Sequence, residues 1–125
     1  MNRSTIAEFC LAVAMLSLPA WAQSSLANQG RAENGKKLFT AVGCYECHGR
    51  EGQGGWSAPV GSVAPRLAPP KIPVEALKAY IRHPTGGMPP YTAKVLSDAD
   101  INDIYAFLKT ISAPRPLKDI PLLNH

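Results

Sequence analysis

The stretch from Gly49 to Ile72 constrains this chain more than any other. It carries Gly52, Gly54, Gly55, Pro59, Pro65, Pro69 and Pro70, and neither a helical nor a strand period runs through it. Unpatterned loops longer than about 12–15 residues are uncommon in compact domains unless they have a function or a body to wrap. Whatever fold the chain adopts must supply that body. The sequence on either side decides what kind.

Helical signals flank the stretch. The first covers roughly Ala27 to Ala41, with Gly35, Leu38 and Phe39 on one side. The second begins near Pro73, suited to the first helical position, and stops at Pro84, with Val74, Leu77, Tyr80 and Ile81 at helical spacing. The third is the clearest. Ser97-Asp98-Ala99-Asp100 reads as a capping box with Asp in the final place, and Ile101, Ile104, Tyr105, Leu108 and Ile111 follow as an apolar stripe until Pro114 and Pro116. No run alternates as a strand does. The expected fold class is all-α: three or so helices joined by long loops.

At 125 residues the chain is one domain at most. Its start reads as a secretory signal peptide. Arg3 gives a positive beginning, Glu8 ends the charged region, Phe9 to Leu18 is apolar, and Ala20-Trp21-Ala22 is a small-x-small cleavage site before Gln23. The apolar core falls short of the roughly 20 residues that span a bilayer, so no stable membrane insertion is expected. Lipidation at Cys10 is disfavoured, because Ala7-Glu8-Phe9 is a poor lipobox. The expected organisation is a removed signal over 1–22, one domain over 23–112 and a Pro-rich extension over 113–125. The signal takes one Arg and one Glu with it, so the net charge stays at +4. A mild positive balance favours partners that are acidic at the contact. Lysines and arginines are scattered, with no run longer than Lys36-Lys37, which excludes a nucleic-acid footprint.

A chain this short buries a low fraction of its surface and often needs a metal, disulfide or cofactor. The candidate is Cys44-Tyr45-Glu46-Cys47-His48. Structural zinc would need a second ligand pair, and His83 and His125 are far apart. A thiol redox motif normally follows a strand, and no strand pattern precedes Cys44. A plain structural disulfide is the third alternative. Covalent haem uses every part of the motif: each thiol adds to one vinyl group, and the adjoining histidine becomes the proximal iron ligand. It would also be the body around which the long loop wraps. The favoured reading is one haem c bound through Cys44 and Cys47, with His48 on the iron.

The sixth iron position then needs a ligand. Met1 and Met15 lie in the signal, leaving Met88 in Gly86-Gly87-Met88-Pro89-Pro90-Tyr91. Two glycines permit close backbone approach, and two prolines restrict the chain beyond the thioether. Gap-filling in a core is the ordinary role of a methionine, but this one stands in a proline-fixed loop. His83 and His125 are the rivals. His83 precedes Pro84 at a helix end, which suits dipole pairing or solvent, and His125 is terminal.

Together these residues resemble the class I cytochromes c, the small monohaem electron carriers of bacterial periplasms and mitochondria. The similarity extends from about Gly30 to Ile111, with the attachment motif early and Met88 40 residues after His48. That order differs from the four-helix-bundle cytochromes, whose haem motif lies near the C-terminus. The resemblance implies a compact cytochrome c fold in which Gly35 and Phe39 of the first helix cross Ile104 and Phe107 of the last. It implies that Pro65-Arg66-Leu67 supplies a proline carbonyl to the second nitrogen of His48 and packs Leu67 on the haem. Arg66, Trp56 and Tyr91 are candidates to approach the propionates, with a surface arginine and a core tryptophan as equal alternatives, so none is assigned to the site. The extension after Ser112 departs from the shortest family members.

The function so implied is one-electron transfer by a His48/Met88-ligated haem. The protein would be a periplasmic carrier or the electron-accepting subunit of a dehydrogenase, not an enzyme in its own right. Its partners would be redox proteins, a dehydrogenase as donor or a terminal oxidase as acceptor. The alternative is a haem enzyme or gas-binding sensor whose sixth ligand is displaceable.

Overall fold

A computed structural model of the chain describes residues 19–57 and 62–121. The chain divides into two units, residues 1–30 and 31–125. In the first, the described residues are mostly the leading part of helix α1, Ala20–Ala41. This helix begins earlier than the expected Ala27. Pro19 stands before it, and its carbonyl accepts from the amides of Ala22 and Gln23 at 2.9 and 3.2 Å. No glycine or proline interrupts the chain from Ala20 to Gln29, so nothing delays the start. The apolar run of the expected signal, Met1, Cys10 and Met15 lie outside the described residues, as does His125.

In the second unit the later part of α1 is followed by a short helix α2, Cys44–His48. A two-stranded antiparallel ladder comes next, β1 Gly55–Ser57 on β2 Ser62–Ala64, with Trp56 opposite Val63. Helix α3 spans Val74–Arg82, helix α4 spans Asp98–Thr110, and a 3₁₀ turn covers Leu117–Asp119. The fold is all-α apart from the ladder. Its strands are three residues each, too short to show alternation, which is why no strand is legible in the sequence.

Helices α1 and α4 cross at glycine. A Cβ on Gly35 would overlap the Asp103 carbonyl and stand 2.7 Å from the Ile104 amide nitrogen. Only a residue without a side chain lets the two backbones approach so closely. One turn along, Phe39 and Phe107 meet with ring centroids 5.7 Å apart at 57°, a tilted geometry favoured by aromatic quadrupoles. Arg31 Nε and Asn34 Nδ2 donate to the two carboxylate oxygens of Asp103 at 3.0 and 2.9 Å. The pair of family-like contacts expected for Gly35, Phe39, Ile104 and Phe107 is present.

Helix α4 starts where the capping box places it. Ser97 Oγ accepts from the Asp100 amide at 3.1 Å, and Asp100 Oδ2 accepts from the Ser97 amide at 2.9 Å. Such a cap is worth about 1 kcal/mol. Its buried face is Ile101, Ile104, Phe107 and Leu108. Tyr105, expected on the stripe, is only half-buried and donates its hydroxyl to the Ile72 carbonyl at 3.0 Å. Pro73 caps α3 from outside, with ψ at 155°, rather than occupying its first turn. Ile81 is the buried residue of α3, whereas Tyr80 is 41% exposed. The core closes with Phe39, Leu96, Ile101 and Leu108, all essentially inaccessible.

Candidate haem site

The attachment motif sits on a helix created by glycines. Gly43, at φ 79°, turns the chain out of α1, and Gly49, at φ 76°, ends α2 while its amide donates to the Tyr45 carbonyl at 2.9 Å. On the single turn between them Cys44, Cys47 and His48 fall at i, i+3 and i+4, so the three share one face. All three line one cavity of about 760 Å³. The two cysteines are not joined in a disulfide. Burial, and to a lesser degree the neighbouring Cys47, push the Cys44 thiol up to about 11 against the pull of a backbone hydrogen bond.

His48 is 8% exposed, and its Nδ1 lies 2.9 Å from the Pro65 carbonyl oxygen. A carbonyl can only accept, so Nδ1 carries the proton and Nε2 keeps its lone pair for a metal. The Pro65 segment is held in turn by Gly52. The Gly52 carbonyl accepts from the amides of Leu67 and Ala68 at 2.7 and 3.1 Å. Gly52 has φ 61°, and a Cβ there would lie 2.8 Å from Leu108 Cδ2. The long loop thus curls from His48 back to His48 and fixes the imidazole. Nothing in the sequence marks Gly52 for this role. Its only signal is its place among glycines after the motif, and the pairing with Leu67 and Ala68 is long-range.

Met88 lies on the loop between α3 and α4, lines the same cavity and packs against the core cluster. Gly86 has φ 72°, yet a Cβ there would meet nothing within 4 Å. A glycine suits that backbone conformation, which residues with side chains rarely adopt. The loop returns through Tyr91. Its amide donates to the Ile81 carbonyl at 3.1 Å, and its carbonyl accepts from Arg82 Nη1 at 2.9 Å. Its hydroxyl donates to the Val42 carbonyl at 2.8 Å. Burial raises the Tyr91 phenol above its ordinary range.

The other sequence candidates fall elsewhere. His83 is the exposed C-cap of α3 and does not line the cavity. Arg66 is exposed and donates to the Ala68 carbonyl. Tyr91 reaches the cavity, but its hydroxyl is committed to Val42. The backbone of Trp56 belongs to the β ladder. Among the described residues no group of three or more His, Cys, Asp and Glu side chains could hold a metal ion, so the zinc alternative has no second half. No strand precedes Cys44 among the described residues of the chain, which leaves the thiol redox alternative without its usual framework.

The donor set and the cavity fit a haem. Two thiols and an imidazole with a directed lone pair share one wall, and a thioether lines the same space. The remaining lining is largely apolar, including Phe39, Val42, Leu67, Leu77, Ile81 and Leu108. The volume falls within the roughly 300–1,000 Å³ typical of cofactor and small-molecule sites.

The family model described as cytochrome c oxidase, cbb3-type, subunit III matches residues 30–108. No curated protein and no solved structure matches the chain.

Proposed function

The chain belongs to the family described as cytochrome c oxidase, cbb3-type, subunit III, and from that premise we propose a periplasmic electron carrier, or electron-accepting subunit of a dehydrogenase, with one haem c attached through Cys44 and Cys47 and ligated by His48 and Met88. The family is one of cytochrome c domains, and haem-based electron transfer follows from membership. The observation that carries the finer reading is the 2.9 Å contact from His48 Nδ1 to the Pro65 carbonyl. It presents Nε2 to a cavity that Cys44, Cys47 and Met88 also line.

When bound, the haem supplies exchange of a single electron between its ferric and ferrous states, and a thioether ligand raises its potential relative to a second imidazole. The protein's own residues do the rest. Cys44 and Cys47 would hold the group against loss, His48 and Met88 would ligate its iron and leave no position for a substrate, and Phe39, Leu67 and Leu108 line the site with apolar surface. Exposed Val63 and Val95 border the cavity mouth, and Arg66 and Lys94 are exposed beside residues of that lining. Such an apolar edge with nearby cations suits brief contact with an acidic redox protein, the charges speeding encounter. A family that carries an oxidase subunit's name supports an oxidase as acceptor. No helix among the described residues is long and apolar enough to cross a membrane. Periplasmic location rests on the signal read over residues 1–22.

Two measurements test this. Intact mass in denaturing acid should equal the chain from Gln23 plus one haem. Ferric protein should be low-spin with the weak near-infrared sulfur-to-iron band. Met88→Ala should abolish that band, Met88→His should keep a low-spin iron at lower potential, and His83→Ala should change nothing. Rapid carbon monoxide binding by the wild-type ferrous protein at neutral pH, or survival of the band without Met88, would refute the carrier and favour a haem catalyst or gas sensor.

A further inference from the structure

Tyr91 joins three elements that are remote in sequence. Its backbone is bonded at both ends to the close of α3: its amide to the Ile81 carbonyl at 3.1 Å, its carbonyl to Arg82 Nη1 at 2.9 Å. The second arm of Arg82 donates to Asp98 Oδ1 at 2.7 Å, at the first residue of α4. The Tyr91 hydroxyl donates at 2.8 Å to the Val42 carbonyl, at a separation of 49 residues. Val42 follows the last residue of α1 and stands two before Cys44. Carbonyls at a helix end have no partner within the helix, so this hydroxyl satisfies an acceptor at the threshold of the haem-attachment turn.

The loop that bears Met88 is held at its entry by the Tyr80 hydroxyl, which donates to the Thr85 carbonyl at 3.3 Å. Gly86 and Gly87 form a turn on the approach to Met88. Met88 packs on the core, and three residues later Tyr91 fixes the exit.

We propose that Tyr91, clamped by Arg82, is a positioning residue that straps the Met88 loop to the start of the Cys44–His48 segment and thereby sets how readily the sixth iron position opens. This rests on Met88 being the sixth ligand. The Tyr91 hydroxyl is taken by the Val42 carbonyl, so it acts through the loop. It acts by limiting the population in which the loop has swung away and the thioether is off the iron.

The test uses full-length, haem-loaded protein and imidazole as the entering ligand, since imidazole occupies ferric iron only when Met88 leaves it. Tyr91→Phe keeps the ring and removes the hydroxyl. It should retain the sulfur-to-iron band at neutral pH but bind imidazole roughly three- to tenfold more tightly, the population change expected for one lost hydrogen bond. Arg82→Lys, which cannot bridge Tyr91 and Asp98 as a planar fork does, should shift affinity in the same direction and serves if Tyr91→Phe folds poorly. Tyr105→Phe is the matched control. It removes a comparable phenolic bond, to the Ile72 carbonyl at 3.0 Å, from a residue that does not line the cavity. It should leave imidazole affinity unchanged. In a Met88→Ala background, Tyr91→Phe should add nothing, because no thioether remains to be displaced. Unchanged affinity in both Tyr91→Phe and Arg82→Lys, or an equal gain in Tyr105→Phe, overturns the strap while leaving the ligation reading intact. Absence of the sulfur band from wild-type protein overturns the ligation reading, and the strap with it.

Discussion

Changing both Cys44 and Cys47 to alanine, in protein purified free of haem, should abolish cooperative folding. The magnitude follows from the cavity. Core cavities cost about 24 cal/mol per Å³ of volume that the surroundings fail to refill. Held open and dry, about 760 Å³ would thus cost about 18 kcal/mol. That exceeds the roughly 5–15 kcal/mol by which whole domains are stable. Water entering through the mouth reduces the cost of the void, yet it leaves the cavity-lining Leu67 and Leu77 partly wetted, and full burial of such a side chain is worth about 1.5–3 kcal/mol. Neither outcome leaves a stable native arrangement. The variant should keep some helix by far-ultraviolet circular dichroism, lose amide protection in hydrogen exchange and show no calorimetric transition. A cooperative transition within a few degrees of the haem-loaded parent would refute the reasoning, because it would show that the loops and helices pack without the group.

Three further substitutions probe the frame. Gly35→Ala drives a methyl into the Asp103 carbonyl; overpacking of about 3 kcal/mol, offset by about 1 kcal/mol of helix propensity, should lower the melting temperature by roughly 8–16 °C. An unchanged melt would mean the two helices do not meet at this residue. Gly52→Ala places a side chain at φ 61° and 2.8 Å from Leu108 Cδ2, which should cost about 1–3 kcal/mol and speed exchange of the His48 Nδ1 proton in NMR; slow exchange equal to wild type would separate Gly52 from the histidine. Asp103 has its carboxyl held below the usual range, first by Asn34 and then by Arg31. Its contribution is present above the unfolded carboxyl pKa and lost as pH falls through the lower folded value, so the stability gap between wild type and Asp103→Asn should close on acidification. With Asp103 21% and Arg31 52% exposed, the gap should be below about 1 kcal/mol; denaturant melts at neutral and acid pH measure it.

The sequence disclosed what is local. Ser97 and Asp100 are three apart and announce the start of α4. Cys44, Cys47 and His48 occupy one turn and announce the attachment site. The contacts of Gly35 with α4 and of His48 with Pro65 came through family resemblance, since a glycine or a proline alone does not say what it faces. What stayed hidden was pairing across distance. Gly52 to Leu67, Tyr91 to Val42 and Arg82 to Asp98 are bonds whose partners carry no mark in either segment. Tyr91 illustrates the difficulty: a tyrosine after two prolines reads as loop, and only the fold supplies the helix-end carbonyl that its hydroxyl meets.

The two sides of the proposed iron site are then built alike. On each, a backbone carbonyl from a remote segment receives a hydrogen bond that fixes the ligand-bearing chain: Pro65 for His48, Val42 for the loop of Met88. In both, the acceptor is an uncharged backbone group and the partner segment is remote in sequence. A gas sensor or catalyst would gain from a loop that yields as the charge on iron changes. An electron carrier gains from the opposite, because ligands that keep their places in both oxidation states leave little structure to rearrange when the electron moves. The distribution of bonds around Met88 therefore favours the carrier.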